Sequence, residues 1–156
     1  IAAARFAVEG DEAYPDGTFT LRLAFGPVRG YRENGRDVAP FTSFSDLYRR
    51  MEERRGERPF SLPKRWVDGK ASLDLATPLN FVCTADIIGG NSGSPVVDRA
   101  GDFVGIVFDG NIHSLAWNYY FSDERGRAVS VDARGILEAL RKVYRADELV
   151  RELTVR

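Results

Sequence analysis

The chain has 156 residues, of which 44% are hydrophobic and 29% charged, with a formal net charge of −1. This length fits a single domain, residues 1–156, and the mixed charges argue against a nucleic-acid partner. A single cysteine, Cys83, excludes an internal disulfide and a cysteine-rich zinc site, and its apolar context predicts a buried, inert thiol. No apolar stretch approaches the ~18 residues of a membrane span. We expect no metal and no cofactor.

Alternating apolar residues predict the first strands. Residues 18–25, TFTLRLAF, place Phe or Leu at every second position, which is the period of a half-buried strand. Residues 28–34 predict a second strand, and the dipeptide Asn34-Gly35 is a turn signal typical of β-hairpins.

At Ser43 the pattern becomes helical. Asp46 follows Ser43 by three residues, and the apolar Leu47 and Met51 are four apart, which together predict a short capped helix. Residues 56–79 are rich in proline, glycine and charge, and they predict a long irregular connection.

The second half of the chain predicts further strands and a closing helix. Strand-like runs cover residues 79–87, 94–98, 102–108 and 127–132, with a turn at 98–101. Asp132 is a candidate cap for a C-terminal helix, and that helix carries an apolar stripe at helical spacing, formed by Ile136, Leu137, Leu140, Val143 and Tyr144. Many short strands with turn glycines and a closing helix predict a mainly β fold, a β-barrel with peripheral helices.

Residues 89–95, GGNSGSP, have the composition of a turn that carries a nucleophile. A serine hydroxyl becomes nucleophilic when a base takes its proton, and the oxyanion that forms needs backbone N–H donors. Glycines here allow the N–H groups of Gly90 and Ser92 to point at one spot, while Gly93 keeps the hydroxyl accessible. We therefore interpret Ser92 as the nucleophile and Gly90 as part of an oxyanion hole. An ordinary glycine-rich β-turn is the alternative.

The residues after Ser92 distinguish two serine-hydrolase arrangements. A nucleophile elbow, Gly-x-Ser-x-Gly, opens a helix and has an acid and then a histidine downstream. Here the fifth position is Ser94, and Pro95 leads into a predicted strand. The match favours the chymotrypsin arrangement, in which the histidine and aspartate precede the serine and come from the other half of a double barrel.

Three blocks in the same order, residues 14–31, 86–111 and 127–140, resemble the C-terminal part of bacterial dipeptidyl-peptidases 7 and 11, serine peptidase family forty-six. The resemblance implies a chymotrypsin-like double barrel with a helical domain, which removes dipeptides from free N-termini. Of that enzyme this chain would hold the second barrel only. The start at Ile1 instead of Met fits a processed product or a piece of a longer chain.

The single histidine, His113, limits the catalytic prediction. His113 follows Ser92, just beyond the strand expected to border the substrate, whereas the catalytic histidine of the resembling family precedes the serine. A loop histidine without a catalytic role is therefore favoured, and a base is the alternative. We expect the catalytic His and Asp in the remainder of the parent chain.

The sequence FDGN, residues 108–111, falls where a chymotrypsin-like pocket is walled. By the resemblance, Asp109 pairs with the free α-ammonium of the substrate, and Gly110 selects the side chain at the cleaved bond. A fixed carboxylate offsets the cost of desolvating an ammonium group. Acid-specific members carry arginine where this chain has Gly110, which adds no charge and is expected to leave volume for an apolar side chain. An Asp-Gly turn between strands is the alternative.

Two neighbours of Ser92 bear on a rival assignment. Asp86 lies at the offset of the pocket-floor aspartate of trypsin, so a Lys/Arg-specific endopeptidase is a rival, although a structural Asp bonded to the turn is favoured. Asn91 stands where zymogen-type proteases carry an acid, so activation through the Ile1 ammonium has no obvious partner.

The predicted function is that of a serine dipeptidyl-peptidase fragment that prefers an apolar penultimate residue and is inactive as an isolated chain. An HtrA-like or trypsin-like endopeptidase and a non-catalytic binding module are the alternatives. Peptides and the rest of the parent chain are the expected partners, and a homodimer stays open. By the resemblance, the location is the periplasm or cell envelope of a Gram-negative bacterium.

Overall fold

The computed structural model describes residues 7–8 and 21–155. Ile1 and residues 18–20 of the first predicted strand lie outside the described residues. The strands are β1 (Tyr31–Glu33), β2 (Arg36–Val38), β3 (Phe41–Ser43), β4 (Pro78–Cys83), β5 (Pro95–Val97), β6 (Phe103–Gly110) and β7 (Ala128–Asp132). The helices are α1 (Phe44–Glu53), α2 (Lys64–Gly69), α3 (Ala133–Ala139) and α4 (Asp147–Thr154), with 3₁₀ turns at Lys70–Ser72 and Ile112–Asn118 and a π-helical turn at Leu140–Tyr144.

Five strands form one antiparallel sheet in the order β3-β4-β7-β6-β5. The central strands β6 and β7 pair along a register that ends with Gly110 opposite Ala128. Strand β5 joins β6 through a turn in which Asp98 Oδ1 accepts the N–H groups of Ala100 and Asp102 at 2.8 and 3.0 Å. This confirms the predicted hairpin, and it places the segment that precedes β5 beside the end of β6.

A second, two-stranded sheet is the hairpin β1–β2. Its turn residues Asn34 and Gly35 have φ angles of 50° and 76°. Positive φ at both central positions is the requirement of a type I′ turn, which the Asn-Gly pair meets at low cost. The predicted turn is confirmed.

Helix α1 begins directly after Ser43, as predicted. The Asp46 carboxylate accepts the backbone N–H of Ser43 at 2.9 Å and its hydroxyl at 3.0 Å. Arg49 donates to the same carboxylate at 2.6 Å, and this bond together with those from Ser43 lowers the pKa of Asp46. The opposite face of α1 buries Phe44 and Tyr48.

The described residues contain two apolar cores. The helical core consists of Phe44, Tyr48, Leu73, Ala139 and Val143, and the sheet core of Cys83, Val107 and Ala128. The predicted burial of Cys83 is confirmed, and burial raises the pKa of its thiol. Because Val107 belongs to the sheet core, packing of this side chain fixes the strand that carries residues 108–110.

The predicted strand at 18–25 is wrong over its described part. Residues 21–25 form no strand, and Leu21, Leu23 and Phe25 are exposed. A single bridge joins Val28 to Cys83. An alternating pattern becomes a strand only where a neighbouring strand pairs with it, and no described strand pairs with residues 21–25.

Two further segments differ from the prediction: the connection 56–79 contains a helix, and the C-terminal helix is interrupted. The connection 56–79 contains α2, whose Trp66 ring lies 5.9 Å from that of Phe44. The C-terminal helix is interrupted after Tyr144, where Arg145 takes a left-handed φ of 57°. Its predicted cap is confirmed, since Asp132 Oδ1 accepts the N–H of Arg134 at 2.9 Å.

Candidate active site

The turn that carries Ser92 lies between β4 and β5. Gly90 and Gly93 have φ angles of 98° and 89°, a region that L side chains rarely adopt. The N–H of Gly93 donates to the carbonyl of Val107 at 2.8 Å, and the N–H of Val107 donates to that of Ser94 at 3.0 Å. The glycines therefore shape the turn, and strand β6 holds it in place.

Ser92 presents its hydroxyl to the end of β6. The side chain is exposed, and Oγ donates to the carbonyl oxygen of Phe108 at 3.3 Å. Phe108 directly precedes Asp109 and Gly110. The structure therefore brings together the residue predicted as nucleophile and the two predicted as substrate-binding.

Two backbone N–H groups in the Ser92 turn donate to no described backbone carbonyl. Within residues 21–155, neither the N–H of Gly90 nor that of Ser92 donates to a backbone carbonyl. The adjacent donors are used, since the N–H of Asn91 donates to the Ile88 carbonyl at 3.2 Å and that of Ser94 to the Asn91 carbonyl at 3.0 Å. These two N–H groups are the ones predicted to form the oxyanion hole.

Asp109 and Gly110 end strand β6, just after an irregularity in its register between Val107 and Asp109. Asp109 is exposed, and its Oδ1 accepts the N–H of Gly110 at 2.8 Å. That bond fixes one carboxylate oxygen relative to the backbone. An exposed, fixed carboxylate beside Ser92 is suited to bind a cation.

The expectation that Gly110 leaves open volume needs correction. A Cβ built on Gly110 would collide with Ser114 Oγ and lie 3.2 Å from Ser114 Cβ. The space in the side-chain direction of residue 110 is therefore occupied by Ser114, which the sequence reasoning did not single out.

Asn111 fixes the segment that follows Gly110. Its Oδ1 accepts the N–H of Ser114 at 3.1 Å and that of Arg127 at 3.0 Å, while its Nδ2 donates to the Arg125 carbonyl at 2.7 Å. The bonds with Arg125 and Arg127 join the end of β6 to the loop before β7, and the bond with Ser114 caps the 3₁₀ turn Ile112–Asn118. Asparagine is one of the preferred residues at a helix N-cap, so the sequence pattern could have indicated this residue.

Arg127 is a buried cation that holds the surrounding backbone. It is 1% exposed, and burial lowers the pKa of its guanidinium. Its guanidinium donates to the main-chain carbonyl oxygens of Arg29, Gly30, Asp123 and Gly126, and it lies over the ring of Tyr31. The sequence gives no signal for such a role, because every hydrogen-bond acceptor is a main-chain carbonyl.

His113 is paired with Glu33 and not with Ser92. Its Nε2 lies 2.8 Å from Glu33 Oε1, and its ring lies 5.9 Å from the ring of Tyr31 in an edge-on arrangement. The histidine therefore joins the 3₁₀ turn Ile112–Asn118 to the hairpin β1–β2. Of the other residues considered, Asp86 is half-buried, and Asn91 Oδ1 accepts the N–H of Ile88 at 3.4 Å.

The described part of the chain holds no cluster of three or more His, Cys, Asp or Glu side chains placed to bind a metal ion. In that same part, no helix is long and apolar enough to cross a bilayer.

The Peptidase S46 family model matches residues 1–155. This chain belongs to the S46 peptidase family. It is 32% identical over 152 residues to dipeptidyl-peptidase 7 of Capnocytophaga gingivalis and 31% identical over 170 residues to the Asp/Glu-specific dipeptidyl-peptidase of Shewanella putrefaciens. These matches cover 91% and 90% of this S46 chain but 21% and 23% of the two relatives. The chain thus spans about a fifth of the length of these curated relatives.

Solved structures show the same fold. DPP11 of Porphyromonas endodontalis in complex with the dipeptide Arg-Glu matches with a TM-score of 0.81 at 21% identity, covering 99% of this S46 chain and 23% of that chain. The complex with Arg-Asp matches with a TM-score of 0.78. The likeness confirms the predicted fold class, a mainly β, chymotrypsin-like fold with peripheral helices.

Proposed function

We propose that this chain is the nucleophile-bearing part of a longer serine dipeptidyl-peptidase that releases N-terminal dipeptides with an apolar penultimate residue. Ser92 Oγ attacks the second peptide carbonyl of the substrate, and an acyl-enzyme forms as the shortened peptide leaves with its new amine. Water then releases the dipeptide.

The observation that carries this proposal is the contact between Ser92 Oγ and the Phe108 carbonyl at 3.3 Å. It sets the reactive hydroxyl next to Asp109 and Gly110. A dipeptidyl-peptidase needs this closeness, because the free amine of its substrate lies only two residues from the cleaved bond.

The remaining roles are assigned to groups beside Ser92. The N–H groups of Gly90 and Ser92, which donate to no backbone carbonyl within residues 21–155, stabilise the oxyanion, which is worth about 3–4 kcal/mol per donor in serine proteases. The exposed carboxylate of Asp109 binds the α-ammonium and thereby measures the distance from the N-terminus to the cleaved bond.

We infer specificity for an apolar penultimate side chain from Gly110, which brings no charge of its own, and from Arg127, whose charge is engaged elsewhere. Arg127 lies close to Gly110, since Ala128, the next residue, pairs with Gly110 in the sheet. Its guanidinium, however, is buried and bonded to carbonyl oxygens. A substrate carboxylate would therefore be desolvated there without a partner, whereas an apolar side chain gains about 1.5–3 kcal/mol on burial. Relatives of both named types match at nearly equal identity, so Gly110 and not overall similarity supports the choice.

The base and its orienting acid are assigned to the rest of the parent chain. His113 is engaged with Glu33, and the relatives are about five times as long as this chain. Peptides and that remaining portion are then the partners of this segment.

The test uses the full-length parent and dipeptidyl reporters that differ only in the second residue. We expect higher kcat/KM for Met, Leu and Val than for Asp, Glu, Lys and Arg, loss of cleavage when the substrate amine is acetylated, and fluorophosphonate labelling that Ser92→Ala abolishes. Cleavage of acetylated substrates after Lys or Arg would favour the endopeptidase with Asp86 in its pocket. Absence of labelling would favour a non-catalytic module.

We also propose a periplasmic or cell-envelope location for the parent. It rests on the resemblance alone, and fractionation of the source cells tests it: recovery of the protein in the cytoplasmic fraction only would contradict it.

A further inference from the structure

Ser114 occupies the direction in which any side chain at position 110 would leave the backbone. A Cβ added to Gly110 collides with Ser114 Oγ, lies 3.2 Å from Ser114 Cβ and lies 3.6 Å from the Arg127 carbonyl oxygen. On this side, the boundary of the proposed pocket is therefore the side chain of Ser114.

Hydrogen bonds from the hydroxyl and from the backbone N–H of Ser114 to Asn111 hold Ser114 in this position. Oγ donates to the Asn111 carbonyl at 2.7 Å, and the backbone N–H donates to the same carbonyl at 2.9 Å and to Asn111 Oδ1 at 3.1 Å. Asn111 is itself fixed to Arg125 and Arg127. Turning the Ser114 side chain away would break the bond to Asn111 without an evident replacement, so Ser114 forms a fixed wall.

We propose that Ser114 is a specificity-determining residue: its hydroxyl, standing against Gly110, limits the size of the penultimate side chain that the pocket accepts. This inference rests on the proposed function, in which Gly110 lines that pocket. Glycine at 110 and serine at 114 then act as a pair, because a larger residue at one position needs a smaller residue at the other.

The first experiment changes the size of residue 114 in both directions in the full-length parent. Ser114→Gly should raise the ratio of kcat/KM for a Phe reporter over an Ala reporter by about tenfold, the scale of a methylene-sized change in an apolar pocket. Ser114→Thr keeps a hydroxyl for Asn111 but adds a methyl group, and should lower that ratio. A purely structural serine would change overall activity without moving the ratio in opposite directions.

The second experiment tests the packing without using activity. Gly110→Ala should lower the thermal midpoint of the parent, and adding Ser114→Gly should restore most of the loss. Gly89→Ala is the matched control, since a Cβ there meets nothing within 4 Å. Opposite shifts in the reporter ratio together with thermal recovery support the proposal.

Each other outcome overturns a distinct part. No thermal recovery in the double variant contradicts the packing of Ser114 on Gly110. Recovery with an unchanged reporter ratio refutes the specificity role and leaves Ser114 structural. Recovery in a parent that is inactive on every reporter refutes the proposed function, and the specificity role with it.

Discussion

At the scale of single residues, Arg127 shows how a side chain can shape a site that it does not enter. Burying a guanidinium is costly, and the cost is offset only when its N–H groups find acceptors. Arg127 finds them on four carbonyls from two separate segments and places its charge over Tyr31. These bonds fix the loop before β7, and they engage the guanidinium with main-chain carbonyls.

Asp109→Asn in the parent should lower kcat/KM for every dipeptidyl reporter by about 10–100-fold without changing their order. An amide keeps the shape but loses the charge that pairs with the α-ammonium, and charged hydrogen bonds contribute about 1.5–3 kcal/mol. The measurement is kcat/KM across the reporter panel.

Asp37→Asn is the control for this change, because that carboxylate is 93% exposed and lies in the hairpin β1–β2. A variant of Asp109 that keeps full activity on free amines, or that changes the order of the reporters, would contradict the assigned role.

At the scale of elements, local signals were predictable and pairing partners were not. The Asn34-Gly35 turn, the start of α1 and the Asp132 cap each depend on a few adjacent residues, and each is confirmed. Residues 21–25 alternate correctly, yet a strand also needs a neighbour. The break at Arg145 escaped prediction because the apolar stripe of the C-terminal helix continues to Tyr144 and arginine is not a typical left-handed residue.

In the candidate site, too, residues marked by a local motif were predictable and contacts made by the fold were not. A motif and a resemblance predict roles for Ser92, Gly90, Asp109 and Gly110; the structure places these residues close together, and their roles stay predictions. Ser114 was missed because only the fold of the 3₁₀ turn brings its hydroxyl against Gly110.

Asp46→Asn should destabilise the 156-residue chain by about 1 kcal/mol at pH 7, the usual loss at a helix cap. The folded state lowers the pKa of Asp46, so its stabilising contribution is present above the unfolded pKa of about 3.9 and is lost as pH falls through the folded value. Denaturant unfolding measures the free energy of unfolding at pH 7, where the Asp46 carboxyl is ionised, and at pH 2.5 in acid.

The difference between Asp46→Asn and the unchanged chain should therefore shrink at pH 2.5. Asp37→Asn, a change at an almost fully exposed carboxylate, should have little effect at either pH. A gap for Asp46→Asn that is as large in acid as at neutral pH would show that the carboxylate charge is not the cause.

At the scale of the whole molecule, the chain holds the residues predicted as nucleophile and as substrate-binding groups, but within residues 21–155 no base is bonded to Ser92. The one histidine joins two surface elements through Glu33, and Ser92 Oγ bonds only weakly to a carbonyl, which cannot take its proton. Under the proposed function, binding and chemistry are separable: the groups proposed to recognise a dipeptide lie in this chain, and the activation of the serine depends on groups from elsewhere in the parent.

The purified 156-residue chain should not turn over dipeptidyl reporters, because an unassisted serine hydroxyl stays protonated near neutral pH and the loss of general-base catalysis removes about 10²–10⁴-fold or more in rate. The measurement is reporter hydrolysis by the isolated chain beside the full-length parent at equal concentration, with Ser92→Ala in each as the background. His113→Ala decides the alternative. If the isolated chain hydrolyses reporters at a rate near that of the parent and His113→Ala abolishes this, then His113 is the base and its pairing with Glu33 orients it for catalysis. If His113→Ala leaves the parent's kcat/KM within about twofold, the histidine acts only as a link between the hairpin and the 3₁₀ turn, which is the result we expect for this surface pair.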